Sequence, residues 1–108
     1  MTSLFDVQAA VDQLRAAELL ARQPLDRLPR LDWSVSDAGT LVGSPAPHTP
    51  PAEARAAWTA WVKHLGLRAA RERHRNGCTH LRAQGHIEGT QITVWALYRD
   101  EPVAASGA

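Results

Sequence analysis

The chain has 108 residues, a formal net charge of +1 and 44% hydrophobic residues. That length fits a single domain (1–108) with its own core, the apolar content excludes a disordered chain, and so small a net charge sets up no long-range field toward nucleic acid or membrane. A lone cysteine, Cys78, rules out an internal disulfide, and the absence of a signal-like start or of an apolar run of ~20 residues leads us to expect a cytoplasmic protein without membrane contact.

Residues 3–22 read as a helix. Ser3 is placed to cap it, with Asp6 completing a capping-box-like start. Val7, Val11, Leu14 and Ala17 recur at helical spacing, with Leu4 before them and Ala21 after, and form the expected buried stripe. Asp12, Arg15, Glu18 and Arg22 lie mostly off it, and Pro24 stops the helix. Leu31, Trp33 and Val35 then alternate with polar residues, as a half-buried strand does. Asp37-Ala38-Gly39 suits a short hairpin loop with Gly39 in the left-handed region, and residues 40–44 return as a second strand. This register sets Val35 against Leu41 and Trp33 against Gly43, a large ring beside a residue without a side chain.

A Pro-rich connector, residues 44–51, leads to a second helix. Thr49 is expected to cap it, with Pro50 at its first position. Ala54, Ala57, Trp58, Trp61, Val62 and Leu65 make its apolar face, and Gly66 ends it in the left-handed conformation. Trp33, Trp58 and Trp61 read as core residues whose indole N–H groups seek partners near the core edge. Residues 67–75 fit either a short basic helix or an edge strand, and the favoured Asn76-Gly77 turn tips them toward an extended form. Strands at 78–87 and 90–99 meet at Glu88-Gly89, pairing Ile87 with Thr90, Gly85 with Ile92, Ala83 with Val94 and Leu81 with Ala96. A loose tail, 101–108, closes the chain.

The order α-β-β-α-β-β points to an α+β, two-layer fold: a four-stranded antiparallel sheet with two helices packed on one face. The other face then turns Cys78, His80, Arg82, Gln84 and His86 outward on one strand, and Gln91, Thr93, Trp95, Leu97 and Arg99 on the next. If residues 70–75 pair through the Asn76-Gly77 turn, Arg71, Arg73 and Arg75 join that face. The candidate binding residues are therefore Arg71, Arg73, Arg75, His80, Arg82, Trp95, Leu97 and Arg99.

Several chemistries compete for this face. A zinc site needs converging ligands, and Cys78, His80 and at most His74 do not make a standard set, so no metal or other cofactor is expected. A Cys78–His80 nucleophile pair is separated by two strand positions and lacks an orienting carboxylate unless Glu72 supplies it, so catalysis is not expected and no catalytic residue is assigned. Arginines beside Trp95 suit phosphates and a stacked base, although no RNA-binding sheet motif is present. Trp95 and Leu97, large and outward, suit a protein partner or a second copy in a homodimer. The expected function is a non-enzymatic binding or adaptor domain working through protein or self association, with nucleic-acid binding as the alternative.

The strings "LPRLDWSV", "LVGS", "AWTAWVKHLGL" and "THLRA", spanning about residues 28–99, resemble a group of small uncharacterised actinobacterial-type proteins. That resemblance implies one compact α+β domain and brings no activity or site.

Overall fold

The computed structural model describes residues 4–68 and 70–100. Along the chain come helix α1 (Leu4–Ala21), strands β1 (Asp32–Val35) and β2 (Leu41–Ser44), helix α2 (Pro51–Leu65), and strands β3 (Arg71–Arg75), β4 (Cys78–Ile87) and β5 (Thr90–Arg99). They form an α+β fold with one five-stranded sheet in the order β1-β2-β5-β4-β3. β2 runs parallel to β5, and the other neighbours are antiparallel.

The expected four-stranded antiparallel sheet is thus corrected on two counts. Residues Arg71–Arg75 form a fifth strand, because Asn76 and Gly77 hold φ of 53° and 73° and turn the chain back tightly onto β4. Positive φ at both central residues makes the hairpin turn whose twist matches its strands. The parallel pair has a different origin. α2 carries the chain from β2 across the sheet to β3, so β2 and β3 run the same way with β5 and β4 inserted between them. Hairpins alone give antiparallel neighbours, whereas a helical crossover brings strands back in the same direction.

Local registers follow the alternation of the sequence. Trp33 pairs with Gly43 and Val35 with Leu41. An ideal Cβ on Gly43 would lie 2.6 Å from the Trp33 ring, so only glycine leaves space for it. Ile87 pairs with Thr90, Gly85 with Ile92, Ala83 with Val94 and Leu81 with Ala96. The inner face thereby presents Leu41, Leu81, Ala83, Ile92, Val94 and Ala96 to Ala57, Trp58 and Trp61 of α2 and to Ala16 and Leu19 of α1. Trp58 Nε1 donates to the Val94 carbonyl at 2.9 Å and Trp61 Nε1 to the Pro29 carbonyl at 2.7 Å, so neither indole is buried without a partner. Trp33 meets Trp61 edge to face, with ring centroids 4.9 Å apart.

Both helices differ from expectation in detail. α1 does not bury the stripe Val7, Val11, Leu14 and Ala17; it buries Ala16 and Leu19, with Leu20 half-buried. Asp12 lies against Gly39, whose missing side chain lets the helix approach the β1–β2 turn. The close approach at Gly39 is made through Asp12, and the side of the helix that continues from it carries Ala16, Leu19 and Leu20, which leaves Val7, Val11 and Leu14 on the other side. Ser3, the tail 101–108, and the side chains of Leu4 and Asp6 lie outside what is described. In α2 the cap is Pro50 and makes no side-chain hydrogen bond. Thr49 does not cap: its hydroxyl donates backward to the Ala46 carbonyl at 2.6 Å. Gly66, at φ 65°, ends the helix as expected.

Candidate functional site

The outer sheet face is arranged in cross-strand rows. Arg71 stands opposite Arg82, which stands opposite Trp95; Arg73 opposite His80, opposite Leu97; and Arg75 opposite Cys78, opposite Arg99. The eight residues expected from the sequence therefore meet on one continuous patch formed by β3, β4 and β5. Parity is the cause: Thr79, Leu81 and Ala83 are buried on the inner side while His80 and Arg82 between them are exposed. Leu97 is 60% exposed, Trp95 is half-buried, and the His80 ring stands edge-on to Trp95 with centroids 6.4 Å apart.

Charge on this patch is one-sided. Among the described residues the ion pairs are Arg22–Glu88, Arg55–Glu72 and His74–Glu72, and none involves Arg71, Arg73, Arg75, Arg82 or Arg99. Like charges directly opposite across a ladder destabilise a sheet, and Arg71 against Arg82 is such a pair. Arg71, Arg73, His80 and Arg82 line a small cavity of about 90 Å³. A bound anion there would relieve the repulsion, with the guanidinium forks supplying directed donors.

A second concavity adjoins the patch. Trp95, Leu97 and Arg99 face the Pro-rich loop 45–50 across a cleft of about 730 Å³, with Asp32 at its β1 end and Ala54 and Tyr98 toward its floor. The loop turns at Ala46–Thr49, where the Thr49 N–H donates to the Ala46 carbonyl at 3.2 Å and His48 takes φ 69°. A side chain at that left-handed position costs about 1–2 kcal/mol relative to glycine.

The inner side of β3 holds a polar network that alternation in the sequence did not reveal. Arg55 Nη2 contacts Glu72 at 2.9 Å and its Nε donates to the Tyr98 hydroxyl at 3.0 Å. His74 bonds Glu72 through Nε2 at 2.7 Å and Thr79 Oγ1 through Nδ1 at 2.9 Å, while the Thr79 hydroxyl donates to Asp100. The Arg55 guanidinium, with His74 adding to it, holds the Glu72 carboxyl below its ordinary range against a smaller opposing effect of burial, and the Arg55 pKa is raised further above its ordinary value by Glu72 and Tyr98. Thr79, His74 and Glu72 follow one another as a nucleophile, base and orienting carboxylate would. The hydroxyl has one hydrogen, however, and it is directed to Asp100 rather than offered to the His74 ring, so the three side chains are not set as a nucleophile and its base. The network ties β3 to α2. The signal for it was the polar character of Glu72 and His74 at inward parity.

Glu72 and His74 thus lie on the opposite side of the sheet from Cys78 and His80 and do not orient them. Among the described residues no three of His, Cys, Asp and Glu converge as a metal site does, and no helix is long and apolar enough to cross a membrane.

Compared with family models, curated proteins and solved structures, the chain gives no match. The functional reading therefore rests on the outer face and its neighbouring cleft.

Proposed function

We propose that the protein is a small non-enzymatic binding domain whose outer sheet face, around Arg82, Trp95, Leu97 and Arg99, associates with a protein partner that is acidic at the contact. One observation carries this reading: Leu97, 60% exposed, and Trp95 sit beside arginines that no described carboxylate neutralises. Tryptophan and arginine dominate binding hot spots, and the apolar pair supplies a dry centre within a charged rim. Self association is the second form of the same reading. A copy docked about a two-fold axis through these rows would set arginines near arginines, so an acidic heterologous surface complements the face better. Replacing Trp95 and Leu97 together with glutamine is expected to abolish association while the melting transition and circular dichroism persist. Unchanged self-association and unchanged partner capture in that variant would count against the proposal.

The cavity among Arg71, Arg73, His80 and Arg82 favours a second reading, single-stranded nucleic acid. Phosphates would occupy the arginine positions, including Arg75 and Arg99, and a base would stack on Trp95. Such binding weakens steeply as salt rises, because each neutralised phosphate releases counterions. A low-salt titration with mixed single- and double-stranded oligonucleotides that shows no binding disposes of it.

A further inference from the structure

β5 is longer than the strand beside it. β2 pairs with it only from Leu41↔Ile92 to Gly43↔Val94, while β4 accompanies it as far as Cys78↔Arg99. The Glu88-Gly89 turn, with φ of 50° and 82°, closes on a hydrogen-bonded Ile87–Thr90 pair. Counting by twos from Thr90, the backbone groups of Ile92, Val94, Ala96 and Tyr98 point to β4. Those of Trp95, Leu97 and Arg99 point the other way, toward the cleft. The Asp100 N–H, next in the even series, donates to the Gly77 carbonyl at 2.7 Å on the β4 side, as this parity requires.

The reason β2 stops is chemical. In a parallel ladder that places Val42 beside Thr93, the next donor needed by the Trp95 carbonyl is the N–H of residue 45. Residue 45 is proline and has none. Pro47 and Pro50 farther along the same loop lack it as well, so the loop lines the cleft without closing it. No described residue pairs its backbone with the Trp95 carbonyl or with either group of Leu97.

We propose that this half-edge of β5 is a strand-addition site, and that its occupant is an extended acidic segment of a partner protein. The inference rests on the protein-binding reading above and names the form in which the partner engages. An incoming strand would take the line β2 abandons and bond to Trp95, Leu97 and Arg99. Its outward side chains would lie beside Leu97 and Arg99, with the uncompensated Arg75 and Arg82 beyond, and its inward ones over Ala54 and Tyr98. Alternate carboxylates and small apolar side chains match those two sides. Asp32, at the Ser44 end of the cleft, directs the carboxylates toward Arg99.

The probe is a capped peptide of alternating valine and glutamate, with a proline-interrupted peptide of the same charge as control. Binding is followed by tryptophan fluorescence and by amide exchange of the full chain. The alternating peptide is expected to bind, the control not to, and the Leu97 and Arg99 amides, fast in the free protein, to become protected. Leu97→Pro removes an N–H that faces the cleft and no bond of the β4–β5 ladder, and should weaken the peptide about tenfold, the scale of a lost backbone hydrogen bond with its partner left unpaired. Leu97→Ala, which keeps that N–H, should weaken it less. Peptide binding that leaves Leu97 and Arg99 unprotected, yet is lost in Arg82→Glu, would overturn strand addition and keep the face as the docking surface. Absence of any peptide binding would overturn both readings. Protection of Leu97 and Arg99 before peptide is added, in a protein that sediments as a dimer, would give the edge to a second copy and overturn the proposal.

Discussion

At the scale of single residues, Glu72 shows how a charged strand is held in a two-layer fold. Its side chain has inward parity but lies beyond the apolar core, where Arg55 reaches it from α2 and His74 from the same strand. The carboxyl therefore ionises more readily in the folded protein than in the unfolded chain, chiefly through Arg55. A depressed folded pKa gives stability that is complete above the unfolded glutamate value and disappears as pH falls through the folded one. Wild type should thus exceed Glu72→Gln in urea midpoint near neutrality, and the two should converge as acid protonates the carboxylate. Both partners are substantially exposed, so the difference is small. Urea titrations across the acid range give the comparison, and a gap that stays constant as pH falls would assign the effect to lost packing instead.

At the scale of elements, α1 separates what hydrophobic spacing can say from what packing decides. Val7, Val11 and Leu14 satisfy helical periodicity, yet they are 49%, 39% and 60% exposed, while Ala16 is fully buried. Periodicity identified the helix and placed its C-terminal end to within one residue, while the expected start at residue 3 lies outside the described residues. It misassigned the face, because apolar residues occur on both sides and the side that packs, reached through Asp12 at Gly39, carries Ala16, Leu19 and Leu20. The faces differ in a measurable way. Val11→Gln and Leu14→Gln should each change stability by no more than about 0.5 kcal/mol, as surface substitutions do. Leu19→Ala should cost about 2–5 kcal/mol through the cavity it leaves. Denaturant unfolding compares them directly, and a large loss in Val11→Gln would return the stripe to the core. The strands were more legible. Alternation fixed the β1–β2 and β4–β5 registers residue by residue, because a slip by one would turn Leu81, Ala83, Val94 and Ala96 to solvent. β3 has no apolar alternation, and only its turn revealed it.

At the scale of the whole molecule, the total charge conceals its distribution. A formal charge of +1 suggested no field, yet Arg71, Arg73, Arg75, Arg82 and Arg99 gather on one side while Glu72 lies on the other and Glu88 at a turn. Composition cannot report this, since it depends on parity and on a fifth strand that joins through a turn. The strand order was equally hidden: the parallel β2–β5 contact links segments about fifty residues apart and leaves no local pattern. The gathered charge has a consequence for the free protein. Arg71 faces Arg82 directly, so the sheet carries repulsion that an anionic partner would relieve. Arg71→Glu converts the pair to opposite charges and should stabilise the free protein by about 0.2–1 kcal/mol. The same change should weaken an acidic partner. Added sodium chloride should raise the melting temperature of wild type by screening the arginines, since the screening length falls to about 10 Å at 0.1 M, and should raise that of Arg71→Glu less. Stability gained together with affinity lost marks a surface whose charge is set by binding, whereas an Arg71→Glu protein that melts lower at every salt concentration would mean that this arginine contributes to the fold itself.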